Sequence, residues 1–78
     1  MAVEEKVRSI IVKTLDVEPS EIVLDKSLAE SLEVDSTEMV EIAVGIKKEL
    51  NVPIGDNELK KTHTLKEIVA ILKAKGIN

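Results

Sequence analysis

The chain has 78 residues, enough for a single domain over 1–78. A domain of this size buries only about 60% of the surface its unfolded chain exposes, which leaves little room for a deep catalytic cleft. It has no cysteine, no Phe, Trp or Tyr, and one histidine, His63. Disulfides, thiolate chemistry, cysteine-ligated zinc and a His-rich site are thereby excluded, and no metal site is expected. So are aromatic platforms for stacked single-stranded bases.

The net charge of −4 is unevenly spread. Residues 16–41 hold nine acids against Lys26 alone, a net −8. Residues 42–78 carry a net +3 and residues 1–15 a net +1. An acidic middle repels nucleic-acid phosphates and attracts basic protein surfaces, so no nucleic-acid partner is expected. On charge alone a merely solvated acidic face is an equal reading.

The opening Met-Ala-Val-Glu-Glu-Lys has no basic segment followed by an apolar run, so no signal peptide is expected. The apolar runs, such as Ile10–Val12, are far too short to span a bilayer. The expectation is a cytoplasmic protein without membrane insertion. Val3, Val7, Ile10, Ile11 and Leu15 recur at spacings of three and four, and Glu4 and Glu5 favour the positive end of a helix dipole. A helix is predicted over 3–15.

Residues 16–35 show no single period and are read as a long loop that packs its hydrophobes on the core, with one helical turn at Pro19–Ile22. Asp35-Ser36-Thr37-Glu38 has the form of a capping box, and Met39, Val40, Ala43, Ile46 and Leu50 continue a helical stripe. The second long helix is predicted over 36–50, closed by Asn51 and Pro53. Gly55-Asp56-Asn57 signals a turn, with Asp56 capping a short helix over 57–61. Thr64 and Glu67 form another capping box. Leu65, Ile68, Val69 and Leu72 make one apolar face, and Lys73, Lys75 and Gly76 supply a C-terminus. The fold class is all-α: four helices, three long and one short, with a long first connection.

Ser36 follows an acid and opens a helix, so a phosphate ester on its hydroxyl would meet free backbone N–H groups and the positive end of the dipole. Asp-Ser before a helix is also common as plain capping, and the local pattern leaves both readings open.

From Val3 to Ile71 the chain resembles the acyl carrier protein family. The likeness is carried by Asp35-Ser36-Thr37-Glu38-Met39-Val40-Glu41-Ile42 against the family's Asp-Ser-Leu motif. It extends to Val3-Glu4-Glu5-Lys6-Val7-Arg8 and Ile10-Ile11 in the first helix, to Leu28 and Leu32, and to Ile54, Asp56, Glu58 and Thr64-Leu65. The resemblance implies a four-helix bundle of the acyl carrier type. It implies that Ser36 carries 4′-phosphopantetheine, transferred from coenzyme A, with acyl intermediates held as thioesters on that arm. It further implies delivery to fatty-acid, lipid or polyketide enzymes.

Asp35 is expected to cap the helix and help orient coenzyme A on a phosphopantetheinyl transferase. Thr37, Glu38 and Glu41, at the acidic start of the helix over 36–50, are expected to meet acyl-transferring and chain-elongating enzymes, with the carrier itself a monomer. Met39, Val40, Ala43, Ile46, Ile54, Leu59, Thr62, Ile68 and Leu72 are expected to line the acyl cavity. Each of them also reads as ordinary core. The carrier is expected to be a substrate of its enzymes and not itself a catalyst.

The chain departs from the family in Thr37 where Leu is usual, in Glu33 and Val34 where Gly and Ala are usual, in Lys47-Lys48 at a position usually acidic, and in Thr62 where Ile is usual. These departures imply a specialised member with its own partners. An aminoacyl or peptidyl carrier shares the fold and the serine and is the nearest alternative, followed by an unmodified helical interaction module. A lone His in a polar turn is most often solvated, and His63 is assigned no role.

Overall fold

The computed structural model describes residues 3–55 and 58–77. In chain order it contains α1 (Val3–Leu15), a single 3-10 turn (Pro19–Glu21), α2 (Leu28–Leu32), α3 (Ser36–Leu50) and α4 (Leu65–Ala74). The fold is all-α with three long helices and one short. α1 packs against both α3 and α4. None of the helices is long and apolar enough to cross a membrane.

The core follows from helical spacing. Val3, Val7, Ile10 and Ile11 from α1 meet Met39, Ile42 and Ile46 from α3 and Leu65, Ile68, Val69 and Leu72 from α4. Ile22, Leu28, Val34, Val52 and Leu59 fill in from the connecting segments. Among the described residues no polar or charged side chain is buried. Gly45, in mid-helix, lets α1 approach closely. A Cβ there would stand 3.0 Å from the Cγ2 of Ile10.

Helix ends are set locally. Thr64 Oγ1 accepts the N–H of Glu67 at 3.0 Å while Glu67 Oε1 accepts the N–H of Thr64 at 2.9 Å, the reciprocal box its sequence predicted. At the other end of α4, Ile77 N–H donates to Leu72 O and Gly76 N–H to Lys73 O, with Gly76 at φ +92°. That is a Schellman closure, and it needs the positive φ that glycine adopts without strain.

Three other helices end on a non-glycine residue in the left-handed region: Asp16 (φ 55°), Glu33 (φ 54°) and Asn51 (φ 51°). Asn51 closes α3 as expected. Glu33 takes a conformation that a glycine would adopt freely, at an ordinary cost of about 1–2 kcal/mol for an L-residue.

Two expectations need correction. Residues 28–32 were expected in a loop and form α2. Five residues are too few to show a helical period, but the cap is legible in hindsight, because Ser27 Oγ accepts the N–H of Glu30 at 3.2 Å. The short helix expected over 57–61 is not there in its described part, since residues 58–61 form bends and a turn. Asp56 and Asn57 lie outside the described residues. The path of the segment is set by ties outside it: Ala29 N–H donates to Lys61 O, Leu28 N–H donates to His63 O, and the Glu58 carboxylate pairs with the ammonium of Lys75 at 2.8 Å.

Candidate functional site

Ser36 is the first residue of α3, and its position is locked by its neighbours. Asp35, extended at φ −95° and ψ 179°, accepts the N–H of Glu38 on Oδ1 at 2.8 Å. Glu38 Oε1 in turn accepts the N–H of Asp35 at 3.1 Å. Met39 N–H donates to Asp35 O. These bonds occupy two of the four N–H groups that a helix start leaves open. Among the described residues the amides of Ser36 and Thr37 have no partner. The Ser36 side chain is exposed. An anion esterified to that hydroxyl would therefore find two free N–H donors and the positive end of a fifteen-residue helix.

Ser36 heads a groove of about 410 Å³. One wall is a single face of α3: Ser36, Met39, Val40, Ala43, Val44 and Lys47, at the three- and four-residue steps of one helical stripe. The other wall is the irregular segment Ile54, Gly55, Leu59, Lys60, Lys61 and Thr62. The floor is aliphatic. Val40 and Val44 are 61% and 43% exposed, large apolar side chains left uncovered in an otherwise well-buried set.

The second wall is tied down at several points. Leu59 is buried in the core. Ala29 N–H donates to Lys61 O and Leu28 N–H to His63 O, so residues 61–63 sit at the start of α2, near Ser36. His63 has a structural part that its sequence context did not suggest: its Nδ1 accepts the N–H of Lys60 at 3.0 Å, and its own N–H donates to Lys60 O at 2.9 Å. The Glu58–Lys75 pair fixes the segment to the end of α4. That ion pair, and after it the N–H of Gly55, holds the Glu58 carboxyl below the ordinary carboxylate range.

The structure thus brings together Ser36, Met39, Val40, Ala43, Ile54, Leu59 and Thr62 of the expected site residues. Ile46, Ile68 and Leu72 are fully buried in the core behind the groove and do not line it. Asp35, Thr37 and Glu41 are exposed and Glu38 is half-buried, all outside the groove lining. Val44, Lys47, Gly55, Lys60 and Lys61 were not anticipated. For Val44 and Lys47 the signal was present in the spacing 36–40–44 and 36–40–43–47, which continues the face of Ser36 along the helix. For the opposite wall there was none, because that wall is made by tertiary ties.

Residues 5–72 match the protein family described as "Phosphopantetheine attachment site". The chain is similar to the acyl carrier protein of Petrotoga mobilis (strain DSM 10674 / SJ95), 41% identical over 71 residues, which cover 91% of this chain and 84% of that one. It is similar also to the acyl carrier protein of Bdellovibrio bacteriovorus (strain ATCC 15356 / DSM 50701 / NCIMB 9529 / HD100), 32% identical over 76 residues, covering 97% of both chains. That of Thermosynechococcus vestitus (strain NIES-2133 / IAM M-273 / BP-1) is 34% identical over 71 residues, covering 91% of this chain and 88% of the other.

Proposed function

The chain belongs to the acyl carrier protein family, whose prosthetic group is 4′-phosphopantetheine, and from that premise we propose that Ser36 is the residue that bears the group here. The observation that carries the reading is the pairing of an exposed Ser36 hydroxyl with the two free amides of Ser36 and Thr37 at the head of an apolar groove. When bound, the group supplies a thiol that this cysteine-free chain lacks, and on it an acyl chain is held as a thioester.

The chain's own residues then divide the work. Asp35 and Glu38 fix the first turn of α3 and with it the direction of the Ser36 hydroxyl. The amides of Ser36 and Thr37 receive the negative charge of the phosphodiester. Met39, Val40, Ala43, Val44, Ile54 and Leu59 offer aliphatic surface along which an acyl chain is shielded from water.

Thr37, Glu38 and Glu41 present hydroxyl and carboxylates away from the groove, where basic residues of a transferase or of acyl-transferring and chain-elongating enzymes would meet them. Charges at such a rim speed encounter more than they tighten the complex, which suits a carrier that must leave each enzyme after delivery. The protein works as a monomer in the cytoplasm, delivering acyl groups for fatty-acid, lipid or polyketide synthesis and catalysing none of the transfers. Among the described residues only Val23, Val40 and Val44 are large apolar side chains left exposed, and two of these belong to the groove, so no broad apolar face calls for a second copy.

The test is the intact mass after incubation with coenzyme A and a broad-specificity phosphopantetheinyl transferase. Wild type gains one phosphopantetheine and Ser36→Ala gains none. A wild type that stays unmodified while a known carrier is modified in the same tube would refute the assignment and leave an interaction module with the carrier fold.

A further inference from the structure

Among the described residues the charged side chains lining the groove, Lys47, Lys60 and Lys61, are all of one sign, although the chain as a whole is acidic. The carboxylates of α3, Glu38, Glu41 and Glu49, lie off the groove, as does Lys48, while Lys47 shares the stripe of Ser36, Val40 and Ala43. None of the three groove lysines has a salt-bridge partner among the described residues, whereas Lys13 and Lys75 do.

The two ends of the groove differ. Lys60 and Lys61 belong to the end near Ser36, because the backbone of Lys61 and His63 is bonded to the start of α2, and only Glu33 and Val34 separate the end of α2 from Asp35. Lys47 belongs to the other end. It stands eleven residues beyond Ser36, about 16 Å along the helix axis, where Val52 N–H returns to Lys47 O and the chain turns back into Ile54 and Gly55. The end near Ser36 has its anion in the phosphodiester. The far end has a cation over an aliphatic floor, with no carboxylate paired to it among the described residues.

We propose that Lys47 selects an acyl group that is aliphatic in its middle and ends in a carboxylate, the half-thioester of a dicarboxylic acid. This rests on the carrier reading above. A plain fatty acyl chain would satisfy the floor and leave Lys47 solvated. A chain ending in a carboxylate would satisfy both, its methylenes on Val40, Ala43 and Val44 and its charge at the Lys47 ammonium. The gain is that of an exposed ion pair at the end of an apolar contact, and it is sensitive to salt.

The experiment loads the apo protein from adipoyl-coenzyme A or hexanoyl-coenzyme A, two cargoes of equal length that differ in the terminal carboxylate. Intact mass confirms each loading. The rate of thioester cleavage by hydroxylamine is then measured at low salt and divided by the rate of the corresponding free coenzyme A ester. The adipoyl carrier is expected to be cleaved about two- to fivefold more slowly than the hexanoyl carrier, the range an exposed ion pair supplies. Lys47→Gln should erase that difference, and Lys60→Gln/Lys61→Gln should change both cargoes alike. High salt should act as Lys47→Gln does.

Equal protection of the two cargoes in wild type, or a difference that survives Lys47→Gln, overturns the assignment of Lys47 while leaving the carrier reading intact. No mass gain from either ester overturns both. The substitutions are on exposed side chains, and unchanged circular dichroism of each variant keeps a folding defect from passing as a specificity effect.

Discussion

One wall of the groove is a fifteen-residue helix that closes itself at both ends; the other is a run of two turns held in place by its surroundings. On α3 the exposed groove residues Val40, Val44 and Lys47 carry little structural load, because Met39, Ile42 and Ile46 anchor the helix in the core and the capping box fixes its start. On the facing wall the same residues that line the groove, or their neighbours, keep the wall where it is: Leu59 through the core, Glu58 through Lys75, and Lys60 through His63. The helical wall is therefore free to vary in sequence at its surface, and the facing wall is where a small change alters the groove's width.

The largest test of that difference removes one apolar side chain from each wall. Leu59→Ala should cost about 2–3 kcal/mol, the lower part of the range for a buried leucine. Val40→Ala, at an exposed position of the same groove, should stay within about 0.5 kcal/mol of wild type. Urea denaturation of the two variants measures both. A Leu59→Ala cost as small as that of Val40→Ala would mean that the facing wall is anchored elsewhere.

The cap of the helical wall comes next in size. Asp35→Ala removes the acceptor of the Glu38 N–H and should lower stability by about 1 kcal/mol. It should also slow modification of Ser36 by the transferase, because the first turn that aims the hydroxyl loosens. Thermal unfolding and a time course of mass gain read the two effects separately. A variant that unfolds earlier yet is modified at the wild-type rate would show that the cap serves the fold alone.

The same contrast explains what was legible in the sequence. α1, α3 and α4 were readable to their ends, since helical spacing, Asp35, Thr64, Asn51 and Gly76 act within a few residues of where they stand. Ser36 was readable as a candidate for the same reason. α2 was missed because its single turn has no period, although its Ser27–Glu30 cap has the form read correctly at Asp35 and Thr64.

The helix expected over 57–61 does not form in its described part because the shape of the facing wall is set by residues distant in sequence: Lys75 pairs with Glu58, and the start of α2 takes the carbonyls of Lys61 and His63. No pattern within the segment encodes those partners. That is also why Lys60 and Lys61 were not anticipated in the groove, while Val44 and Lys47 could have been found by extending the stripe of Ser36.

The smallest effect bears on the tie that the sequence hid. Glu58 sits below the ordinary carboxylate range in the folded chain, chiefly because Lys75 bonds to its charged form and secondly because Gly55 N–H does. A carboxyl whose folded pKa lies below its unfolded value near 4.3 adds stability that is fully present above that unfolded value. The contribution is lost as pH falls through the lower, folded value. Wild type should therefore be slightly more stable than Glu58→Gln at pH 7, and the two unfolding curves should converge as the pH is lowered below about 4.

High salt at pH 7 should narrow the same gap, because the pair is partly exposed to solvent. The amides of Lys60, Lys61 and Thr62 should shift in the variant while those of residues 36–47 stay in place. A gap that is as wide at pH 3 as at pH 7 would show that Glu58 holds the wall by packing and not by charge, and Lys75 would then have no part in setting the groove.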